Sequence, residues 1–157
     1  RGLAVAALVA VLGIAVALVG VFVQTPGEHA VKAARALVAD AERGRAAAIS
    51  GHFEPEAVIN FGSVTSPAFD RSVINRAITS LASENRITSN QVTRLRGYTA
   101  DPRTGVVHLS CITETASSYG PVPSHWVIQF RLQADGSWQV DRITCLEVAG
   151  RPPRNLF

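Results

Sequence analysis

The chain has no methionine and a single lysine, Lys32, against fourteen arginines. With no Met to initiate it, the sequence is expected to start downstream of the true N-terminus, with cytoplasmic charges ahead of Arg1. Charge is scarce at 17% of residues, and acids are scarcer than bases, 12 Asp+Glu against 15 Lys+Arg. The basic isoelectric point therefore reflects missing acids, and no run of consecutive bases supports a nucleic-acid groove. The four histidines, His29, His52, His108 and His125, lack the short paired spacings that bring two imidazoles onto one ion, which excludes a zinc site of the usual kind. There is no phosphate-cradling glycine loop and no Gly-x-Ser-x-Gly nucleophile turn, so no cofactor is expected. A hydrophobic content of 47% rules out a disordered chain, and a length of 157 residues rules out a multi-domain machine.

What the chain does have is one long apolar run. Residues 3–23 are drawn only from Leu, Ala, Val, Gly, Ile and Phe. As a helix rising ~1.5 Å per residue they would span ~32 Å, close to the ~30 Å hydrocarbon core of a bilayer. A cleaved signal peptide is the competing reading, but Val21-Phe22-Val23-Gln24 is too bulky for a small-x-small cleavage site. An uncleaved single-pass transmembrane anchor is therefore expected, with the lipid bilayer as its first partner. Ala6, Ala10, Gly13, Ala17 and Gly20 leave one stripe of such a helix free of bulk. In lipid, helices associate through van der Waals contact, so the stripe suits the transmembrane helices of a larger complex. Arg1 lies before the run and Lys32, Arg35 and Arg43 after it; a folded domain translocates largely regardless of such charges, so an extracytoplasmic, periplasmic domain is expected.

Behind the anchor, Thr25-Pro26-Gly27-Glu28 reads as a helix start with a capping box and proline at the first helical position. Val31, Ala34, Leu37, Val38, Ala41, Ala48 and Ile49 recur at helical spacing, which predicts one helix through about Ser50, ended by Gly51. A turn over residues 52–57 precedes a short strand over 58–62. Asp70 can cap a second amphipathic helix whose Val73, Ile74, Ala77, Ile78 and Leu81 share a face, ending near Asn85. Four extended runs follow, 87–100, 106–116, 125–133 and 137–148, joined by hairpin-type turns. The expected architecture is α+β: an N-terminal transmembrane helix, then a curved antiparallel sheet packed on helices. Residues 1–24 form the anchor, 25–149 the domain and 150–157 a Pro/Arg tail.

That order resembles the cone-shaped nuclear transport factor 2-like superfamily over residues 25–148. Residues 45–61 look like its first helix running into Phe53-x-Pro55-x-Ala57-Val58. Asp135-Gly136-Ser137-Trp138-Gln139-Val140 is similar to its common penultimate turn and closing strand. The resemblance implies a sheet wrapped with helices around a cavity, a scaffold that carries enzymes, small-molecule binders and assembly domains. It also implies an arrangement like that of inner-membrane assembly factors of type IV secretion systems, with one membrane helix ahead of the domain.

Enzymes on this scaffold need an acid or base inside the cone. The candidates on or beside strands are Asn60, Tyr98, His108, His125, Asp141 and Arg142, with Trp126 beside them on the apolar side of its strand. Asp141 and Arg142 are adjacent and would point to opposite faces of an undistorted strand, which argues against a working pair. The loop Tyr119-Gly120-Pro121-Val122-Pro123 and the apolar pair Leu156 and Phe157 offer contacts to a neighbour. The expected function is a non-enzymatic accessory or assembly subunit of a bacterial membrane complex. The alternative is a tethered small-molecule-binding domain or minor enzyme using the cavity, here expected at Asn60, Tyr98, His125 and Trp126. Cys111 and Cys145 should stay free thiols, because two strand spacings of ~9.5 Å separate them and their registers place them near Gln129 and Trp126 respectively.

Overall fold

The structure is a computed structural model that describes residues 24–153. No helix among these is long and apolar enough to cross a membrane. The expected anchor with its stripe of Ala6, Ala10, Gly13, Ala17 and Gly20 lies outside the described residues, as do Leu156 and Phe157.

Helix α1, Pro26–Glu42, starts where its capping box dictates: the Glu28 N–H donates to Thr25 Oγ1 at 3.3 Å and the Thr25 N–H to Glu28 Oε2 at 2.7 Å. It does not run to Ser50. Gly44 adopts φ +63°, a left-handed conformation that ends the helix, and a separate short helix α2 follows at Ala46–Gly51. Periodicity alone missed this break because the apolar spacing resumes in phase on the other side of it. Helix α3, Arg71–Ser83, is capped as expected, with the Ser72 N–H donating to Asp70 Oδ1 at 2.9 Å.

The strands are β1 Phe53–Phe61, β2 Ala68–Phe69, β3 Ile87–Asp101, β4 Thr104–Thr115, β5 Val122–Leu132 and β6 Trp138–Val148. They form one sheet in the order β2-β1-β6-β5-β4-β3. The expected antiparallel sheet is in fact mixed, because β1 lies parallel to β6. The chain leaves α2 at the end of the sheet where β6 begins: the Val140 N–H donates to the carbonyl of His52 at 2.7 Å. β1 must then run alongside β6 in the same direction. Residues 52–57 are not a turn but mostly the opening of β1. Pro55, which has no N–H to pair, is absorbed where the register jumps from Phe53↔Val140 to Val58↔Arg142.

A second irregularity re-aims two polar side chains. Gln129 pairs with Arg142 and Phe130 with Val140, so Asp141 is an extra residue on β6. The strand is therefore distorted at this point. Asp141 and Arg142 share the face of Gln129 instead of pointing apart. The β4–β5 hairpin also closes earlier than expected, with Thr113 opposite Val122, which sets Cys111 beside Ser124 and not Gln129. Cys145 pairs with Trp126, and both thiols are free and buried. The concave face of the sheet holds the core, with Phe130, Ile128, Val107 and Val140 fully buried against Ala30, Ala34 and Leu37 of α1 and Val73, Ile74 and Ile78 of α3.

Candidate functional site

Alternation along the strands decides what faces the space between sheet and helices. On β4 Leu109, Cys111, Thr113 and Thr115 point inward, and on β5 Val122, Ser124, Trp126 and Ile128 do. Helix α1 contributes Leu37, Val38 and Ala41, and α3 contributes Ile74, Ala77, Ile78 and Leu81. Together with Phe53, Ile59 and Ile143 they enclose a cavity of about 500 Å³. This is within the ~300–1,000 Å³ range of small-molecule sites.

The polar groups of the wall gather at one end, beside the β4–β5 connection: Asn90, Thr113, Thr115, Ser118 and Ser124. Most of their hydrogen-bonding capacity is spent within the wall. Thr113 Oγ1 donates to Asn90 Oδ1 at 2.7 Å, and Asn90 Nδ2 donates to Glu42 Oε1 at 2.8 Å. Ser118 Oγ accepts from the Thr115 N–H at 2.9 Å and donates to the Thr115 carbonyl at 3.1 Å. Trp126 Nε1 donates to Ser124 Oγ at 2.9 Å. Among the described residues, no Asp, Glu, His, Lys, Arg or Tyr lines the cavity. The titratable group in the wall is Cys111, whose thiol is pushed up to about 11, chiefly by burial and then by the negative charge of Glu42. Its thiolate is therefore disfavoured at neutral pH.

Of the four residues expected in the cavity, Trp126 lines it. Asn60, Tyr98 and His125 are not part of the lining. Asn60 is fully buried behind the sheet, donating to the Ser66 carbonyl at 2.7 Å and accepting from Arg142 Nη1 at 3.1 Å. Tyr98 is about half exposed and packs edge-on to His108, ring centroids 5.3 Å apart. His125 Nδ1 lies 3.5 Å from Glu147 Oε2 on the outer surface. Asp141 accepts from Gln129 Nε2 at 2.8 Å and Arg131 Nη2 at 2.6 Å, also away from the cavity. The hydroxyls of the wall carry none of the acid or imidazole character by which His125 and Asp141 stand out in the sequence. The alternation of Leu109, Cys111, Thr113 and Thr115 was the signal that could have found them. Among the described residues no group of three or more His, Cys, Asp or Glu could hold a metal ion.

No protein-family model matches the sequence, and no curated protein matches it. Solved structures do match in shape. A protein with a cystatin-like fold from Caulobacter vibrioides superposes with a TM-score of 0.62 at 12% identity, covering 82% of this chain and 91% of its own. An NTF2-like protein from Cytophaga hutchinsonii gives 0.60 at 10% identity over 73% and 91%, respectively. A ketosteroid isomerase-like protein from Erwinia carotovora atroseptica gives 0.55 at 14% identity over 74% and 92%. At such identities the likeness concerns architecture, and the architecture of this chain is the nuclear transport factor 2-like, ketosteroid isomerase-like cone.

Proposed function

We propose that this domain is a non-enzymatic binding module, tethered to a membrane by the apolar segment 3–23, whose cone cavity receives an apolar small molecule. The observation that carries the reading is a cavity of about 500 Å³ walled mostly by aliphatic and aromatic side chains, with no carboxylate, imidazole, amine or guanidinium among the described residues of its lining. A wall of apolar groups, neutral hydroxyls and one thiol is poorly suited to general acid–base work. It offers apolar contact to a ligand. The test is to purify the full chain from its native membrane in a mild detergent, denature it, and identify released small molecules by mass spectrometry. A compound recovered with the wild type, and lost when Ala77→Phe fills the cavity, is the expected result. Equal recovery from both proteins would remove the support for this role.

A second reading, an accessory subunit of a bacterial membrane complex with its domain in the periplasm, is supported by Tyr119. This large side chain is fully exposed in the loop between β4 and β5. Exposed aromatics in rigid, Pro-bounded loops are suited to anchoring a partner. If that role operates, Leu at Gly13 and Ala17 should weaken co-purification of partners, and Leu at Ala15 should not.

A further inference from the structure

The polar end of the cavity specifies what kind of headgroup the ligand carries. Ser124 Oγ accepts from Trp126 Nε1, which leaves its own O–H free to donate, and among the described residues that hydrogen has no acceptor. Thr113 Oγ1 has spent its hydrogen on Asn90 Oδ1 and keeps lone pairs with which to accept. Cys111 pairs with Ser124 and Thr113 with Val122, so Ser124 and Thr113 are diagonal neighbours on the inner face. Such positions lie about 7 Å apart at the backbone; with each side-chain oxygen reaching about 1 Å toward the other the gap narrows to about 5 Å, which one ligand oxygen bridges with two hydrogen bonds of ~2.8 Å. Their capacities complement each other: one donor and one acceptor, neither charged. Among the described residues no ionised group lines the cavity, so a carboxylate or ammonium brought there would lack a charged partner in the wall. Glu42, which holds Asn90 from behind, adds repulsion against an anion; it is not part of the lining, so it gives an ammonium in the cavity no direct partner.

We propose that the cavity takes a neutral amphiphilic alcohol, its apolar body packed among Leu109, Ile128, Ile143 and Ile78 and its hydroxyl held between Ser124 and Thr113. The hydroxyl accepts from Ser124 and donates to Thr113. This inference rests on the binding role proposed above and names its ligand class.

The two tryptophans supply the assay. Trp126 lines the cavity, whereas Trp138 stacks on His29, ring centroids 5.4 Å apart, and does not. The full chain, labelled with fluorotryptophan and held in lipid nanodiscs, is titrated with heptanol, heptanoate, heptylammonium and heptane while fluorine NMR follows both signals. Heptanol should move the Trp126 signal at about tenfold lower concentration than heptanoate or heptylammonium, with Trp138 unmoved. Ser124→Ala and Thr113→Val should each weaken heptanol about fivefold, the loss of one neutral hydrogen bond, and leave heptane unchanged. An unmoved Trp138 signal in each variant certifies the fold. Heptanoate or heptylammonium binding as well as heptanol, or variants indifferent to the hydroxyl, would overturn the headgroup assignment while leaving a binding cavity. If no probe, heptane included, moved Trp126, the binding role itself would fall with it.

Discussion

Gln129 Nε2 donates to Asp141 Oδ2 at 2.8 Å across β5 and β6, at the point where β6 carries one residue more than its neighbour. The extra residue turns Asp141 to the outer face, where Arg131 Nη2 also reaches it at 2.6 Å. Arg142 occupies the same face and binds Asn60. Asp141 and Arg142 are thus spent on joining strands behind the cavity.

Asp141→Ala should therefore act on stability and not on ligand binding. It removes the acceptor for Gln129 and Arg131 and leaves both donors to water or to Glu54. Losing one or two charge-assisted hydrogen bonds at a largely buried carboxylate costs about 1–3 kcal/mol. The denaturation midpoint should fall accordingly, while a Trp126 titration of the folded protein keeps its half-saturation point. A variant of unchanged stability that no longer binds would place Asp141 in the site.

Two glycines let α1 rest directly on the sheet. A Cβ built on Gly105 would stand 2.3 Å from the Pro26 carbonyl oxygen, and one on Gly97 2.3 Å from that of Gly27. The obstacle in both cases is backbone, which cannot swing aside. Gly105→Ala or Gly97→Ala should push α1 off the sheet and cost about 1–3 kcal/mol or more. Gly51 has nothing within 4 Å of its would-be Cβ, so Gly51→Ala should leave stability unchanged or slightly raised. Thermal melts of the three variants check this. Equal melting for Gly105→Ala and wild type would mean α1 packs elsewhere.

Much of the architecture was legible because local chemistry and tertiary demand agree. Thr25, Pro26 and Glu28 cap α1, Asp70 caps α3, and the alternation of Trp126, Ile128 and Phe130 identifies the inner face of β5. What escaped the sequence depends on partners distant in the chain. The parallel pairing of β1 with β6, the extra residue at Asp141 and the hairpin register of Cys111 are set by neighbours, not by the residues themselves. The cavity was hidden for a similar reason. Asn60 and Tyr98 look like site residues by type, but the parity of the strand turns them away, whereas Ser124 and Thr113 face the cavity through ordinary alternation.

Asp40 ties the two N-terminal helices together across the break at Gly44. It lies 2.7 Å from His52 Nε2 and also accepts from Arg45. The hydrogen bond from His52, followed by the charge of Arg45, holds its carboxyl below the ordinary carboxylate value. A carboxyl depressed in the folded state contributes stability above its unfolded pKa of ~3.9 and loses it as pH falls through the folded value. Wild type should therefore be more stable than Asp40→Asn near neutral pH, with the difference shrinking below about pH 4. Paired urea titrations across that range measure it; a difference that stayed constant into acid would show that Asp40 contributes nothing through its charge.

The two cysteines give the last test, because their positions depend on the strand order. Cys111 on β4 pairs with Ser124, and Cys145 on β6 pairs with Trp126, so a whole strand lies between them. Two strand spacings of about 4.8 Å already exceed the ~7 Å that a disulfide tolerates between Cα atoms. Burial pushes Cys111 up to about 11 and Cys145 up to about 12. At pH 8 each holds a thiolate fraction about a hundredfold or more below that of a thiol near 9, and Cys145 is fully buried as well. The native full chain should therefore take up iodoacetamide very slowly at both positions. Denatured without reductant, it should take up two labels, seen as two added mass increments. Fast labelling of the native protein would mean that the β4 and β6 faces open readily. No label after denaturation, with both cysteines recovered in one crosslinked peptide, would require β4 and β6 to be neighbours and would overturn the order β6-β5-β4.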